Sequence, residues 1–567
     1  MTKGVMTIDG VTVEIGEERN VLELIRKTGV ELPTFCYHSE LSIYGGCRMC
    51  IVEDDRGGLI PSCSEEPRAG LVIKTNTQRL RRYRRNILEL LLANHCRDCT
   101  VCGRSGACRL QDLARSFNIT NIRFINTALN PKTDLSSKCV SKDLNKCILC
   151  GDCVRVCNEI QQVGAIDFAH RGSRMRVSTS FDIPIADSSC VGCGQCAAVC
   201  PTGAIIVKND IDNVWRELDK KDTLVTVQVA PAVRVALGQA FGLADGENSM
   251  GLIVAALRRL GFDRVFDTAT AADITVIEES REFSQRLLSL QSMPLFTSCC
   301  PAWVNFVEKQ YPQLMPHVST CRSPMQMFAS LIGEEYKNCG QRHVHVAVMP
   351  CTAKKYEAAR EEFKVNGEPN VHYVLTTQEL AQMIHQAGVM WDDLEAEGVD
   401  TPFSVLSGAG VIFGVTGGVT EAVLRELADD RSSTGLKKIA FVGVRGQEGL
   451  KEAKVTVGGR ELAIAVVSGL GNATTLIKDL LRGARKYDFV EVMACPGGCV
   501  CGAGQPVAAL PHRAARGQGL YAADRLSSVK RSEENPLMSI LYNGVLKDRS
   551  HELLHVHYPG RESHSSI

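Results

Sequence analysis

Five cysteines in the second half of the chain have types and positions suited to metal chemistry. Cys299 and Cys300 are adjacent in the segment Thr-Ser-Cys-Cys-Pro-Ala-Trp, and Cys351, Cys495 and Cys499 follow in two later segments. Four soft thiolates supplied by loops are the ligands that an iron–sulfur cubane requires. The fifth thiol, Cys299, is a candidate proton carrier, because a free thiol has a pKa of about 8.5 and exchanges protons near neutral pH.

The composition favours metal ligation over disulfide bonding. The chain has 567 residues and 25 cysteines, grouped at short intervals, which in a chain of this length indicates metal sites in several domains. Lys plus Arg and Asp plus Glu both number 64, so nothing suggests nucleic acid or an anionic membrane as a partner. No apolar run approaches the roughly 20 residues that span a bilayer, and MTKGVMTIDG contains no apolar signal core. We therefore expect a cytoplasmic protein in a reducing compartment.

Residues 1–80 are predicted to form a small β-rich domain. Met6–Ile15 alternates apolar and polar residues around Asp-Gly, which predicts a hairpin, and Val21–Gly29 has the pattern of a short amphipathic helix. Four cysteines follow with a long first spacing and a glycine-rich turn: Cys36, Cys47, Cys50 and Cys63. Zinc is the alternative ligand for such a set, but the spacing and the Gly-Gly turn favour a 2Fe–2S cluster.

Residues 81–125 are predicted to form a second cluster domain. An Arg-rich helix, interpreted as a solvated face, leads into the ligand set His95, Cys99, Cys102 and Cys108. One His and three Cys can hold structural zinc or a 4Fe–4S cluster, and the neighbouring motifs favour the cluster. Cys96 lies off the pattern and is interpreted as a spare thiol.

Residues 126–209 contain the bacterial ferredoxin motif twice. In each run the fourth Cys ligates the other cluster, so eight thiols predict two 4Fe–4S clusters. One cluster is predicted to use Cys147, Cys150, Cys153 and Cys200, and the other Cys157, Cys190, Cys193 and Cys196.

Residues 210–567 alternate strand-like and helical segments, which predicts α/β layers with mainly parallel strands. The predicted strands are Thr223–Val229, Val344–Met349, Lys438–Val444 and Phe489–Met493, and the predicted helices include Met250–Leu260 and Thr475–Lys486. In such sheets sites lie beyond the carboxyl ends of strands, where Cys351 and Cys495 are placed. About 511–567 is predicted to be a helical segment without chemistry. The fold class is therefore multidomain α+β and α/β.

The segments TSCCPAW, MPCTAKKYE and EVMACPGGCVCGAGQP resemble the signature motifs of the FeFe hydrogenases. The front half resembles the β-grasp ferredoxin-like domain and the His-ligated cluster domain of these hydrogenases and of the large iron–sulfur subunit of respiratory complex I. The resemblance is to the monomeric, ferredoxin-linked type with four accessory clusters. It implies an H-cluster, which is a 4Fe–4S cubane joined to a dinuclear iron with CO, CN and a bridging dithiolate.

The resemblance also implies roles for residues of the catalytic domain. Cys300, Cys351, Cys495 and Cys499 hold the cubane, and Cys499 bridges to the dinuclear iron. Lys354 faces a cyanide ligand, whereas neighbouring Lys355 is expected at the surface. The remaining lining is expected from Ala230, Pro231, Met349, Phe413 and Met493. Protons are expected to pass along Cys299, Glu279, Ser319 and Glu282, with Arg286 near the exit. Glu279 and Glu282 share one side of a helical turn, and the alternative is a solvated acidic helix start.

The implied function is reversible oxidation of dihydrogen to protons and electrons, with ferredoxin as the electron carrier and maturation proteins supplying the dinuclear iron. Three rivals stay open: a complex I-like electron-input subunit, a non-catalytic assembly or sensor protein, and a subunit of an electron-bifurcating complex with NADH and ferredoxin. No glycine-rich nucleotide loop is evident, so NADH requires a separate partner. Val419-Thr420 departs from the more usual Val-Met. Cys501 is interpreted first as an inert packing residue, and the alternative hypothesis is that Cys501 or Cys321 approaches the open iron site.

Overall fold

A computed structural model gives the fold and describes residues 4–125, 131–289, 291–428, 445, 449–507 and 510–558. The chain divides into two compact units. The first contains residues 1–160, 164–188 and 196–206, and the second contains 161–163, 189–195 and 207–567.

The amino-terminal part of the first unit is built on a five-stranded mixed sheet. Its strands, in spatial order, are Val11–Glu14, Val5–Ile8, Val72–Lys74, Ile51–Asp54 and Leu59–Pro61. The predicted hairpin is confirmed, since the first two strands pair antiparallel around Asp9 and Gly10, both with positive φ. The helix Val21–Lys27 begins at Asn20, whose side chain accepts a hydrogen bond from the Glu23 amide. This helix packs its buried face on the sheet, as a β-grasp domain requires.

Short elements make up the remainder of residues 78–207. The helices are Gln78–Ala93, Arg109–Ser116, Asp152–Arg155 and Gln195–Ala198, and the strands are Val140–Lys142, Asp167–Ala169, Arg176–Ser178 and Ile205–Val207. The Arg-rich helix presents most of its guanidinium groups to solvent as predicted, but Arg84 is buried and donates hydrogen bonds to backbone carbonyls of Met49 and Ile51.

Two four-stranded sheets form the centre of the second unit. The first has the order Arg264–Asp267, Thr223–Val229, Arg342–Met349, Tyr373–Thr376, and all its strands are parallel. The second has the order Leu295–Phe296, Phe489–Met493, Arg460–Ser468, Leu450–Val457, and only its last strand is antiparallel. The predicted mainly parallel α/β class is therefore confirmed.

Helices surround these sheets. They are Ile211–Leu218, Met250–Arg259, Ala269–Ser289, Pro301–Gln310, Pro324–Tyr336, Ala353–Ala358, Thr377–Gln386, Gly408–Val411, Gly418–Leu427, Leu470–Leu481, Leu510–Leu526, Pro536–Asn543 and Ser550–Leu554. A small two-stranded sheet, Lys364–Val365 with Glu368–Pro369, completes the unit. Among the described residues, no helix has both the length and the apolar content to cross a bilayer.

Three of the four predicted strands are present, and the fourth, Lys438–Val444, lies outside the described residues. The helix predicted at Thr475–Lys486 is displaced by five residues and runs from Leu470 to Leu481. It ends early because Gly483 adopts φ +71°, a left-handed conformation that a helix cannot continue through. It begins directly after Gly469, so that Leu470, Ala473 and Leu476 are buried.

Candidate metal centre and proton relay

An apolar cavity in the second unit brings together all four predicted cubane ligands. Cys300 precedes the helix Pro301–Gln310, and Cys351 and Cys495 follow the carboxyl ends of the strands Arg342–Met349 and Phe489–Met493. These cysteines and Cys499 line one cavity. The Ala494 amide donates to Cys300 Sγ at 3.4 Å. Four thiols that converge on one cavity from the ends of different elements fit the donor set of an iron–sulfur cubane.

Glycines allow two of the ligands to reach one point. Gly497 and Gly498 have φ of +85° and +91°. A Cβ on Gly498 would lie 2.5 Å from the Thr416 amide nitrogen, closer than any side chain tolerates. The chain can therefore turn between Cys495 and Cys499 only because these positions carry no side chain.

The rest of the cavity wall is almost entirely apolar. All five predicted lining residues contribute to it: Ala230, Pro231, Met349, Phe413 and Met493. Phe413, Met493 and Val419 also pack against Cys299 in one buried cluster. Such a wall would exclude water and would hold a bound group mainly through its shape.

Lys354 is a buried cation at the cavity. Its Nζ donates to Glu357 Oε2 at 2.7 Å and to the backbone carbonyl of Cys299 at 3.3 Å. Burial alone lowers the pKa of this amine, but the Glu357 carboxylate outweighs it and raises the pKa above its usual value. The ammonium therefore stays charged at the cavity wall.

The expectation that Lys355 lies at the surface is wrong. Its Nζ is buried and bonds to Asp210 at 2.6 Å and Glu379 at 3.0 Å. The two neighbouring lysines therefore pair with different carboxylates, Lys354 with Glu357 and Lys355 with Asp210 and Glu379. Lys355 therefore joins the turn after Cys351 to two distant segments, which stabilises the position of that ligand.

The predicted relay residues lie along the helix Ala269–Ser289 and the loop that faces it. Ser319 Oγ donates to Glu282 Oε2 at 2.7 Å, and Arg286 bonds Glu282 Oε1 at 2.5 Å. Glu279 is fully buried and Glu282 is 9% exposed, so the alternative of a solvated acidic helix start is wrong. Glu279 is close enough to interact with both Cys299 and Ser319.

Glu279 is prepared to carry a proton. Burial, with smaller contributions from the Glu282 and Glu491 carboxylates, raises its pKa to about 8 from an ordinary value of 4.5. In the described part of the chain neither carboxyl oxygen has a hydrogen-bond partner of good geometry. Burial likewise raises the pKa of Cys299 well above its usual range, and the Glu279 carboxylate adds to the effect. Both groups therefore hold protons at neutral pH in the absence of a bound group.

We expect the substitution Glu279→Gln to change how stability depends on pH. The unfolded chain loses this proton above about 4.5, whereas the folded chain keeps it until about 8, so folding stability falls across that window. The glutamine variant lacks this loss. The free energy of unfolding of the variant, relative to that of the parent, should therefore rise between these two pH values by at most about 1.4 kcal/mol per pH unit. Above them the difference should stay constant.

Thermal unfolding midpoints at a series of pH values, measured without oxygen, test this expectation. Glu335→Gln is the matched control because Glu335 is exposed. If the difference in unfolding midpoint between Glu279→Gln and its parent does not change with pH, the pKa of Glu279 is not raised.

A short segment within the second unit bonds to one predicted cubane ligand and to the residue that follows another. The Gln195 side-chain amide donates to Cys495 Sγ at 3.2 Å, and Thr352 Oγ1 donates to the Gly192 carbonyl at 2.8 Å. A Cβ on Gly194 would lie 2.4 Å from Thr352 Oγ1, so the two backbones approach closely. Residues 189–195, which include the predicted ligands Cys190 and Cys193, therefore pack against the turns that carry Cys351 and Cys495.

Sequence reasoning missed Gln195 and Glu491. A glutamine inside a cysteine motif carries no signal of its own, and Glu491 reads as one polar residue in a strand. Glu491 is fully buried and accepts hydrogen bonds from the Gly417 and Thr420 amides and from Thr420 Oγ1, at 2.7 to 2.9 Å. Thr420, which stands where the resembling family more often has Met, therefore bonds to Glu491. These bonds connect the strand before Cys495 to the helix Gly418–Leu427.

Neither Cys321 nor Cys501 lines the cavity, so the hypothesis that one of them approaches the open iron site gains no support. Cys321 is fully buried, and its Sγ lies 3.7 Å from Glu282 Oε2, on the relay instead of at the cavity. A β-bridge between Cys321 and His555 holds it there. Cys501 packs in a separate apolar cluster with Val500 and Leu520.

Family profiles match five consecutive parts of the chain. They are a 2Fe–2S iron–sulfur cluster binding domain (5–78), an NADH-ubiquinone oxidoreductase-G iron–sulfur binding region (84–123), a 4Fe–4S dicluster domain (146–204), the C-terminal domain of the iron-only hydrogenase large subunit (223–503) and the iron hydrogenase small subunit (511–561).

Two curated relatives match almost end to end. The NADP-reducing hydrogenase subunit HndD of Solidesulfovibrio fructosivorans is 43% identical over 98% of this chain and 99% of its own length. Iron hydrogenase 1 of Clostridium pasteurianum is 33% identical over 97% of this chain and 99% of its own length. The chain belongs to the FeFe (iron-only) hydrogenase family. A solved FeFe hydrogenase structure, HydA(deltaEFG), is 38% identical with a TM-score of 0.55, over 63% of this hydrogenase and 100% of that chain.

The first unit of the hydrogenase brings the predicted 2Fe–2S ligands together. Cys36, Cys50 and Cys63 are each 1% exposed. The Cys36 thiol lies within hydrogen-bonding reach of Cys47 and Cys63, and Cys63 is similarly close to Cys50. Gly45, in the glycine-rich turn before Cys47, has φ +66°. The four thiols thus converge on one point, as a cluster of either two irons or one zinc requires.

His95 has the character of a ligand. Its ring is buried, and its Nδ1 has no hydrogen-bond partner in the described part of the hydrogenase. Burial lowers the pKa of the imidazole, so the ring is neutral and offers a lone pair. Cys99, Cys102 and Cys108 lie close enough to interact electrostatically. Cys96 instead donates to Asp98 at 3.1 Å, which agrees with its interpretation as a spare thiol.

One of the two predicted ferredoxin sites of the hydrogenase forms within the first unit. Cys147, Cys150, Cys153 and Cys200 line one small enclosed cavity there. The fourth thiol comes from the second ferredoxin run, as the exchange of ligands between runs predicts. The other set, Cys157, Cys190, Cys193 and Cys196, draws on both units and stays a prediction.

Proposed function

We propose that this chain catalyses the reversible oxidation of dihydrogen to protons and electrons, and exchanges the electrons with ferredoxin. The observation that carries the proposal is the apolar cavity of the second unit. One wall of it holds four thiols, and a fifth thiol and a buried ammonium lie beside them. A site that combines metal ligands, a proton carrier and a dry pocket suits an apolar, uncharged substrate that must be polarised.

The cavity residues fit an H-cluster, with a cubane on Cys300, Cys351, Cys495 and Cys499. When bound, the dinuclear iron supplies the centre at which dihydrogen is split or formed. Lys354 offers an N–H donor to a cyanide ligand, while its pairing with Glu357 keeps it charged. Ala230, Pro231, Met349, Phe413 and Met493 keep water out. Maturation proteins are expected to load the dinuclear iron.

Cys299 is proposed to exchange the proton with the cofactor. Its thiol lines the cavity, and Glu279 lies behind it. From Glu279 the proton passes to Ser319 and then to Glu282, whose carboxylate accepts the Ser319 hydroxyl at 2.7 Å. Arg286 holds Glu282 in place and is itself bonded to the Pro316 and Val318 carbonyls. The last step, from Ser319 to Glu282, follows a hydrogen bond that is already formed, whereas the Glu279 side chain has to approach Cys299 and Ser319 to pass its proton on.

Electrons are proposed to leave through accessory clusters, one 2Fe–2S and three 4Fe–4S. Gln195 bonds the ligand Cys495 and is two residues from the predicted ligand Cys193, which supports a short path from the cubane to the ferredoxin clusters. Plant-type ferredoxin potentials of about −400 mV suit a low-potential carrier. A cytoplasmic location stays our expectation.

The relative HndD favours a second candidate function, a subunit of a complex that also uses a pyridine nucleotide. That protein is named an NADP-reducing hydrogenase subunit, and it matches this chain along its whole length. No glycine-rich nucleotide loop is evident in the sequence, so in this case a partner flavoprotein binds the nucleotide.

Gas exchange by the isolated, fully loaded chain separates the two functions. We expect dihydrogen to reduce ferredoxin or a low-potential dye directly, because all the proposed clusters reside in one chain. We expect no reduction of NADP+ or NAD+ without an added flavoprotein. An infrared spectrum in the region of metal-bound CO and CN establishes that the dinuclear iron is loaded.

Two results would redirect the assignment. Loaded chain that neither evolves nor consumes dihydrogen indicates a sensor or an assembly protein. Ferredoxin turnover that appears only when a copurifying flavoprotein is present indicates the complex.

A further inference from the structure

Three side chains beside the proton relay form a cluster of mixed metal donors. Glu282, Cys321 and His555 each offer one ligand atom, and these atoms all lie within 4.8 Å of one another. Cys321 is fully buried, Glu282 is 9% exposed and the His555 side chain is 10% exposed. His555 comes from the carboxyl-terminal segment that was expected to have no chemistry.

The backbone holds this cluster together. Val556 N donates to the Thr320 carbonyl and Arg322 N donates to the Leu554 carbonyl, both at 2.8 Å. These bonds flank the β-bridge between Cys321 and His555, so both donors sit on one short antiparallel ladder. The Arg322 guanidinium adds a 2.8 Å bond to the His555 carbonyl. The donors are therefore fixed by the fold and not by flexible side chains alone.

The surroundings of His555 orient it as a ligand. Its Nε2 lies 3.0 Å from Glu278 Oε2, and the same carboxylate accepts from Tyr542 and from Arg281. Because a carboxylate is an acceptor only, Nε2 carries a proton, and in the neutral form of the ring Nδ1 carries the lone pair. That lone pair faces the Thr320 hydroxyl at 2.8 Å. A carboxylate behind a histidine is the arrangement that fixes metal-binding imidazoles.

The donor types and spacings suit a tetrahedral borderline cation. Zinc takes thiolate, imidazole and carboxylate at about 2.0–2.3 Å, which places its ligand atoms roughly 3.3–3.8 Å apart. Cys321 Sγ and Glu282 Oε2 are already 3.7 Å apart. Glu282 Oε1 remains on Arg286, so the carboxylate can bind a cation through Oε2 without losing that partner.

We propose that Glu282, Cys321 and His555 bind one zinc-class divalent cation, with water as the fourth ligand, and that the bound ion closes the proton outlet. On binding, the Cys321 thiol releases its proton to solvent and becomes a thiolate. The ion displaces the Ser319 hydroxyl from Glu282 Oε2 and the Thr320 hydroxyl from His555. The proposal that the ion closes the proton outlet rests on the proposed function, whereas the proposal that the ion binds does not.

Zinc content of the fully loaded protein tests the binding. The iron–sulfur ligands are then occupied, and the chain is incubated with zinc, desalted and analysed for zinc together with X-ray absorption at the zinc edge. We expect one retained zinc with sulfur, nitrogen and oxygen neighbours, and its loss in both Cys321→Ala and His555→Gln. Unfolding midpoints of the two variants establish that each is folded.

Two matched controls identify competing sites. Cys339 is exposed and supplies a thiol away from the cluster, and His557 is exposed near His551, whose ring lies 5.8 Å away. Cys339→Ser and His557→Gln should both retain the zinc. Zinc that persists in Cys321→Ala and His555→Gln, or that is lost in His557→Gln, would overturn the site.

Inhibition tests the closure. We expect zinc to inhibit dihydrogen turnover of the parent, and the zinc concentration for half inhibition to rise at least about 10-fold in Cys321→Ala and His555→Gln, each compared with its own zinc-free rate. Zinc bound at this site without inhibition overturns the closure alone. A loaded parent with no turnover contradicts the proposed function, while its zinc content still reports on the site.

Discussion

Replacing Cys299 by alanine should lower hydrogen turnover by about 10²–10⁴-fold, the contribution that a positioned proton donor makes. Cys299 is the only cavity thiol left after four are assigned to the cubane, among the residues that the structure describes. Glu279 lies close enough to interact with this thiol, and apart from Lys354 and Thr268 the other described side chains of the wall are apolar. Alanine leaves the apolar packing with Phe413 and Met493 nearly unchanged.

Hydrogen evolution and uptake, each measured with saturating reduced or oxidised dye, give the effect. Infrared bands of metal-bound CO and CN must be as strong as in the parent, which separates lost proton transfer from lost cofactor. Cys339→Ala is the control, because this thiol is exposed and is not one of the proposed ligands. A loaded Cys299→Ala variant with ordinary turnover would show that protons leave by another route.

Substituting alanine for Gly498 should abolish cubane assembly at the cavity while the accessory clusters remain. Gly498 has φ +91° and ψ −167°, a region of backbone space that only glycine occupies readily. The new Cβ would also lie 2.5 Å from the Thr416 amide nitrogen, where backbone has to move. Both strains act on the turn between Cys495 and Cys499, so two of the four ligands shift together.

Iron content per chain and the electron paramagnetic resonance of the reduced protein measure this loss. Gly483→Ala is a matched control, since Gly483 also has a positive φ, +71°, but nothing lies within 4 Å of its new Cβ. The control should cost about 1–2 kcal/mol of stability and keep every cluster. If Gly498→Ala holds its full complement of iron, the turn is more tolerant than its geometry indicates.

Local sequence patterns correctly predicted the strands that are buried along nearly their whole length. The strand Thr223–Val229 was predicted at its observed bounds because a central parallel strand buries both faces and selects β-branched apolar residues. Phe489–Met493 followed the same rule. Thr475–Lys486 was displaced because the left-handed conformation of Gly483 ends the helix, and a lone glycine in sequence does not reveal its φ.

Pairings across long sequence distances could not be predicted from local patterns. Lys355 was expected at the surface because its partners, Asp210 and Glu379, are 145 and 24 residues away. Cys321 was considered only as one of two thiols, with Cys501, that approach the open iron site, because nothing in the sequence shows that Cys321 pairs with His555. The spacing of Cys300, Cys351, Cys495 and Cys499 does not show that they share one site. They could be predicted as ligands only because three motifs resemble those of a known family.

The amide of Gln195 on Cys495 Sγ has an electronic consequence for the direction in which the enzyme works. An N–H donor to a ligand sulfur stabilises the extra negative charge of a reduced cluster, which makes its midpoint potential less negative. Gln195→Leu should therefore make the midpoint potential of the cubane more negative, so that the cubane accepts electrons from dihydrogen less readily. If the chain has the proposed function, this one side chain outside the cavity would set part of the balance between oxidation and formation of dihydrogen.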